Sequence, residues 1–169
     1  KSIDGIEQPS GAGEPLGVSE NNIRKVRKGM QVVVNDRRGT AYRSRIIADE
    51  MRMAGKTGTS QVRNITAAER ARGVSRNEDL PWERRDHALF VAFAPYDKPR
   101  YALSVLVEHG GGGSAAAAPI ARDVMLQALY GGEPPLDAYP TADRARIATQ
   151  QEELRKVQPQ AAINGNDQA

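Results

Sequence analysis

His87-Ala88-Leu89-Phe90-Val91-Ala92-Phe93-Ala94, then Pro95-Tyr96-Asp97-Lys98-Pro99-Arg100, then Tyr101-Ala102-Leu103-Ser104-Val105-Leu106-Val107-Glu108 is the stretch that decides the fold. Two apolar runs of strand length enclose a polar turn carrying two prolines, which reads as an antiparallel hairpin. Gly110-Gly111-Gly112-Gly113-Ser114 follows, and beyond it Ile120, Val124 and Leu129 fall near one helical face before Gly131-Gly132. That spacing predicts a helix that buries this face and stops at the glycines. Pro119 limits its start, because proline is comfortable only in the first turn of a helix. The alanines from Ala115 to Ala118 fit a helix start packed closely on the hairpin.

Upstream, Met51 to Val62 has no helical stripe and carries Gly55 and Gly58, which argues for an extended strand with close backbone approaches. Asn64 to Asp86 is too long for an ordinary hairpin loop and reads as an excursion with some helix in Ala67 to Arg72. Earlier still, Ser19 is a good N-cap and Glu20 suits the positive helix end, while Ile23, Val26, Met30 and Val33 recur at helical steps. An amphipathic helix is expected over about 20–34. Asn35 to Gly39 reads as a loop and Thr40 to Ile47 as short strand or turn. The glycine- and proline-bearing residues 1–18 read as loop, 19–132 as the folded part, and 133–169 as a mobile tail with a polar helix at about 142–157.

The chain has 169 residues, 39% hydrophobic and 27% charged, which suits one soluble domain and excludes collagen-like repetition or wholesale disorder. Its longest apolar stretch, Ala88 to Pro95, falls far short of the roughly 18 residues of a membrane-spanning helix. With no cysteine, disulfides, thiolate zinc sites and a cysteine nucleophile are excluded. Lys1 is no initiator and no signal-peptide pattern follows it, so the chain reads as a fragment or processed product. The net charge is only +3, yet Arg24 to Arg45 holds eight basic residues against Asp36 alone. Nucleic acid is disfavoured as the partner, since this stretch has one aromatic, Tyr42, and matches no zinc-finger, helix-turn-helix or RNA-recognition pattern. A solvated helix face, or one meeting an anionic polymer or lipid headgroups, is the preferred reading.

Lys56-Thr57-Gly58-Thr59 is the candidate site. A strand edge supplies backbone donors and acceptors for an extended peptide, while a lysine and two hydroxyls can hold its terminal carboxylate. The bland reading makes Lys56 a solvated edge lysine that discourages aggregation. Order along the chain favours the first. In that order stand Gly29-Met30, Gly39-Thr40-Ala41, Ala54 to Val62, Arg85-Asp86-His87, Phe90, Ala92 to Tyr96 and Glu108 to Gly113. From Asn21 to about Gly132 the chain resembles the C-terminal part of the transpeptidase domain of class B penicillin-binding proteins, on the elongation-specific side of that family.

The resemblance implies an α/β fold of the α+β type, a five-stranded antiparallel sheet covered by helices, to which this chain would supply three strands, a preceding helix and the final helix. It implies peptidoglycan D,D-transpeptidase activity through a serine ester, with no cofactor. No serine here has lysine three positions on, so the nucleophile is expected upstream of Lys1 and the chain alone is expected to be inactive. Ser19-Glu20-Asn21 and Ser75-Arg76-Asn77 match the family's Ser-x-Asn motif as text but at the wrong place, and read as a helix cap and a loop. Carried over, Lys56 would act electrostatically, Thr57 and Thr59 would hold the carboxylate of a D-Ala-D-Ala stem peptide or a β-lactam, and the Thr59 N–H would complete an oxyanion hole. Gly58 would keep the strand bare beside the substrate. Elongation-complex proteins are the implied partners, and the implied location is the periplasmic face of the bacterial inner membrane, with the anchor upstream.

His87 and His109, with Asp86 and Glu108, invite a metal site, but neighbours on a strand point to opposite faces and too few ligands converge. The Gly110–Gly113 run lacks a P-loop ending and reads as room to turn. The rivals are a division-specific class B protein, a β-lactamase-like hydrolase, and a non-catalytic binding or scaffold module using the basic helix.

Overall fold

The structure, a computed structural model, describes residues 2–3, 6–7 and 15–164. In chain order the elements are β1 (Ser2–Ile3), β2 (Ile6–Glu7), α1 (Glu20–Asn35), β3 (Ala54–Ser60), α2 (Ala67–Arg72), β4 (His87–Ala94), β5 (Tyr101–Val107), α3 (Ala117–Tyr130) and α4 (Arg144–Asn164). β1 and β2 pair antiparallel where a loop is expected; the other residues before 15 lie outside the described ones.

The hairpin forms as the sequence predicts, with Ala88 opposite Val107 and Ala94 opposite Tyr101. β4 is also paired antiparallel with β3, Ala54 opposite Phe93 and Ser60 opposite His87, so the sheet order is β3-β4-β5. Alternate residues of β4, namely Ala88, Phe90, Ala92 and Ala94, are buried and form the sheet side of the core. α3 supplies the other side with Ala117, Ala118, Ala121, Met125, Leu126 and Leu129. This corrects the expected stripe: Ile120 and Val124 are 45% and 52% exposed. Leu129 is buried as expected, and the small side chains of Ala117, Ala118 and Ala121 let the first half of the helix lie close to the sheet, so the buried face there is marked by alanines rather than by Ile120 and Val124.

α1 starts at Ser19, whose hydroxyl accepts the Asn22 N–H, and spans Glu20–Asn35. Val34 is its buried residue, while Val26, counted in the expected stripe, is exposed. Two polar contacts fix it. Asn35 Nδ2 donates to the Met53 carbonyl at 2.9 Å, tying the helix end to the entrance of β3. Arg27 donates to the Tyr96 carbonyl at 2.8 Å and lies over the Phe93 and Tyr96 rings. Thr40 to Ile47 forms a 3-10 turn, Tyr42–Ser44. The excursion contains α2 over the expected residues, capped by Thr66 and braced by two 2.7 Å bonds from Arg63 to Glu69.

Residues after Gly132 pack differently from a mobile tail. Tyr139 and Ile147 are 3% and 4% exposed and belong to the core, and the Ile47 N–H donates to the Ala138 carbonyl at 2.9 Å. Arg122, fully buried on α3, donates from Nε to Asp123 at 2.8 Å and from Nη1 to Asp143. Gln151 donates to the Pro134 carbonyl at 2.7 Å. Tyr139 lies in a proline-rich turn, Ile147 and Gln151 stand one turn apart on α4, and the anchoring arginine sits on another element, so the docked groups form no continuous apolar stripe. α4 itself contains the expected polar helix; residues 165–169 of the expected tail lie outside the described ones.

Candidate functional site

β3 is an edge: β4 holds one side, and among the described residues no strand pairs with the other. Lys56, Thr57, Gly58 and Thr59 stand opposite Val91, Phe90, Leu89 and Ala88. Directly paired residues share a face, so Thr57 and Thr59 lie on the face of Phe90 and Ala88, and Lys56 and Gly58 on the other. Lys56 is exposed and its Nζ donates to the Thr57 carbonyl at 2.7 Å. The four predicted residues therefore sit within one strand segment that offers a cation, two hydroxyls and free backbone groups.

Two further residues shape this segment. The Thr57 hydroxyl shares a 3.1 Å hydrogen bond with the hydroxyl of Thr40, which follows α1. Gly113 runs directly against the strand: a Cβ there would sit 2.2 Å from the Leu89 oxygen and 2.5 Å from the Gly58 oxygen. The Gly113 carbonyl in turn accepts the N–H groups of Ala117 and Ala118 at 3.2 and 2.8 Å, so the first turn of α3 is fixed against the site. Thr40 stands in Gly39-Thr40-Ala41, whose sequence carries no local sign of a contact with β3. Gly113 lay in a run read as slack, because contact between two segments 55 residues apart leaves no periodic signal.

The histidines are engaged elsewhere. The His109 N–H donates to His87 Nδ1 at 2.9 Å, which puts the His87 proton on Nε2. His109 Nδ1 lies 2.9 Å from the Arg85 carbonyl, which can only accept, so that nitrogen carries the proton. The His109 ring also meets Trp82 and His87, at 4.3 and 4.7 Å between centroids. His109 has φ 53°, a left-handed conformation uncommon outside glycine, which turns β5 into the glycine run. Asp86 braces the same corner, receiving Asn77 Nδ2 and the Val62 N–H. Among the described residues no three of His, Cys, Asp and Glu gather to hold a metal ion.

An open strand edge with a lysine and paired hydroxyls can bind an extended peptide and its carboxylate; the Lys56 amine is hydrogen-bonded to the Thr57 carbonyl and the Thr57 hydroxyl to Thr40. Comparison with known proteins gives this chemistry a setting. Residues 4–126 match the family described as penicillin binding protein transpeptidase domain. The chain is 34% identical over 149 residues to peptidoglycan D,D-transpeptidase MrdA of Haemophilus influenzae, covering 83% of this chain and 22% of that protein. It is 42% identical over 94 residues to the protein of the same name in Acinetobacter baumannii, covering 55% of this chain and 13% of that one. Among solved structures, penicillin-binding protein PBP2 in its complex with MreC from Helicobacter pylori matches with TM-score 0.51 and 36% identity, over 66% of this chain and 17% of that chain. The chain thus spans at most about a fifth of the length of these relatives.

Proposed function

Since the chain belongs to the penicillin-binding protein transpeptidase family, we propose that the protein it represents is a peptidoglycan D,D-transpeptidase of the elongation type, and that this chain supplies one wall of the active site. The observation that carries the reading is Lys56-Thr57-Gly58-Thr59 on an open sheet edge, backed by Gly113 and by α3. In this reading a serine outside the chain attacks the carbonyl between the two terminal D-alanines of a stem peptide. Its oxygen forms the ester as the C–N bond breaks and the last D-alanine leaves with the proton on its amine. The amine of a second peptide then attacks the ester, forming the cross-link and returning the proton to the serine oxygen.

The chain's own groups act on charge and position. Lys56 offers positive charge beside the nucleophile, where negative charge grows in the transition state. Thr57 and Thr59 hold the substrate's terminal carboxylate by hydroxyl donation, and the Thr59 N–H faces the developing oxyanion. Gly58 keeps the strand free of a side chain where the peptide lies. β-Lactams, which carry a carboxylate and a reactive amide, enter the same site and stop at the ester. Elongation-complex proteins are the proposed partners, in line with the MreC-bound relative, at the periplasmic face of the inner membrane. The test is Lys56→Ala in the full-length protein with a fluorescent penicillin. Acylation should slow by at least about a hundredfold, the scale for losing one electrostatic stabiliser; an unchanged rate would return Lys56 to a solvated edge lysine.

A further inference from the structure

The basic stretch from Arg24 to Arg45 plays no part in the reading above, and the structure divides it by what each side chain does. Arg27 is engaged by the Phe93 and Tyr96 rings, Arg38 pairs with Asp36 at 3.2 Å, and Arg45 lies 3.9 Å over the Tyr42 ring. Arg37 and Arg43 make no ion pair among the described residues, and both line one cavity of about 360 Å³ with Thr40, Tyr42 and Ser114. No carboxylate among the described residues lines it. Two exposed arginines and three hydroxyl-bearing residues lining one space form a donor set suited to an anion, and the planar guanidinium fork matches a carboxylate; Arg43 and Ser114 also border a neighbouring cavity that contains Asp123 and Asp143. The cavity also joins the strand: Thr40, in its wall, is the residue hydrogen-bonded to Thr57 at 3.1 Å.

We propose that Arg37 and Arg43 extend the carboxylate site of β3, so that the terminal carboxylate of the substrate is recognised by guanidinium charge from the α1–β3 connection as well as by the hydroxyls of Thr57 and Thr59. This rests on the transpeptidase reading. Thr40 is the link, a positioning residue that holds the Thr57 hydroxyl between the strand and the cavity. The arginines set specificity by favouring a charged carboxylate over a neutral ester or amide at the same position, and they take no part in bond making.

The experiment compares acylation of the full-length protein by benzylpenicillin and by its methyl ester, in which a neutral ester replaces the carboxylate. In the R37Q/R43Q variant the ratio of the two acylation rate constants should fall by about tenfold. In R37Q or R43Q alone it should fall by about threefold, and the lysine variants should keep part of it. A merely structural role would slow both ligands alike and leave the ratio in place. A ratio unchanged within about twofold in the double variant, or in both single variants if the double one does not fold, overturns the proposal. Failure of benzylpenicillin to acylate the unaltered protein overturns the transpeptidase reading itself, and this inference with it.

Discussion

Asp143→Ala removes one of two carboxylates that hold a guanidinium shielded from water. Arg122 is 0% exposed; Nε is bonded to Asp123, Nη1 to Asp143, and Nη2 has no partner. Burial works against the charge, but the bonds and charges of Asp123 and Asp143 outweigh it and raise the pKa of Arg122 above its ordinary value. Taking one partner from a buried pair costs about 3–5 kcal/mol, and the lower end applies because the Asp143 side chain is 30% exposed and water can reach its side of the pair. About 3 kcal/mol is roughly a hundredfold in an opening equilibrium. Asp143 closes the turn before α4, so the cost should fall on docking of Tyr139 to Gln151 rather than on the sheet. Amide hydrogen exchange reads this directly: Ile147 to Gln151 should exchange about a hundredfold faster while β4 keeps its protection. Arg122→Met, which leaves no unpaired buried cation, should accelerate the same amides less. Exchange of Ile147 to Gln151 unchanged within about threefold in Asp143→Ala would refute the reasoning, as would Arg122→Met proving the more damaging of the two.

Three further outcomes are expected. Gly113→Ala, whose Cβ would meet the Leu89 and Gly58 backbone oxygens, should cost about 3 kcal/mol in denaturant unfolding, while Gly112→Ala, with open space around it, should cost less than about 0.5 kcal/mol. Cutting the chain after Gly132 should destabilise it by several kcal/mol instead of leaving it intact, because Tyr139 and Ile147 leave the core and Arg122 loses Asp143; equal unfolding midpoints for the cut and uncut chains would restore the tail reading. Burial pushes the Tyr139 phenol up from 10.0 to about 12, so its contribution to stability is fully present below pH 10 and is lost as pH rises through 12. Tyr139→Phe should remove that alkaline dependence, as followed by unfolding at a series of pH values.

The elements set by local chemistry were legible in the sequence. The hairpin from His87 to Val107, α1 behind Ser19, α2 over Ala67–Arg72 and a helix ended by Gly131 each carry a period, a cap or a breaker within a few residues. Lys56 to Thr59 was legible as a strand segment, and as the candidate site, because its residue types, placed before the hairpin and the glycine run, carry the resemblance to a known family. Tertiary structure decided what depends on residues distant along the chain. It turned α3 so that Ala117, Ala118, Ala121 and Met125 face Phe90 while Ile120 and Val124 face outward, a choice governed by how closely helix and sheet can approach. It joined Thr40 to Thr57 and pressed Gly113 on Gly58. It also drew Tyr139 and Ile147 into the core around Arg122, a docking that composition alone reads as a polar tail, because a buried arginine held by two aspartates leaves no apolar pattern in sequence.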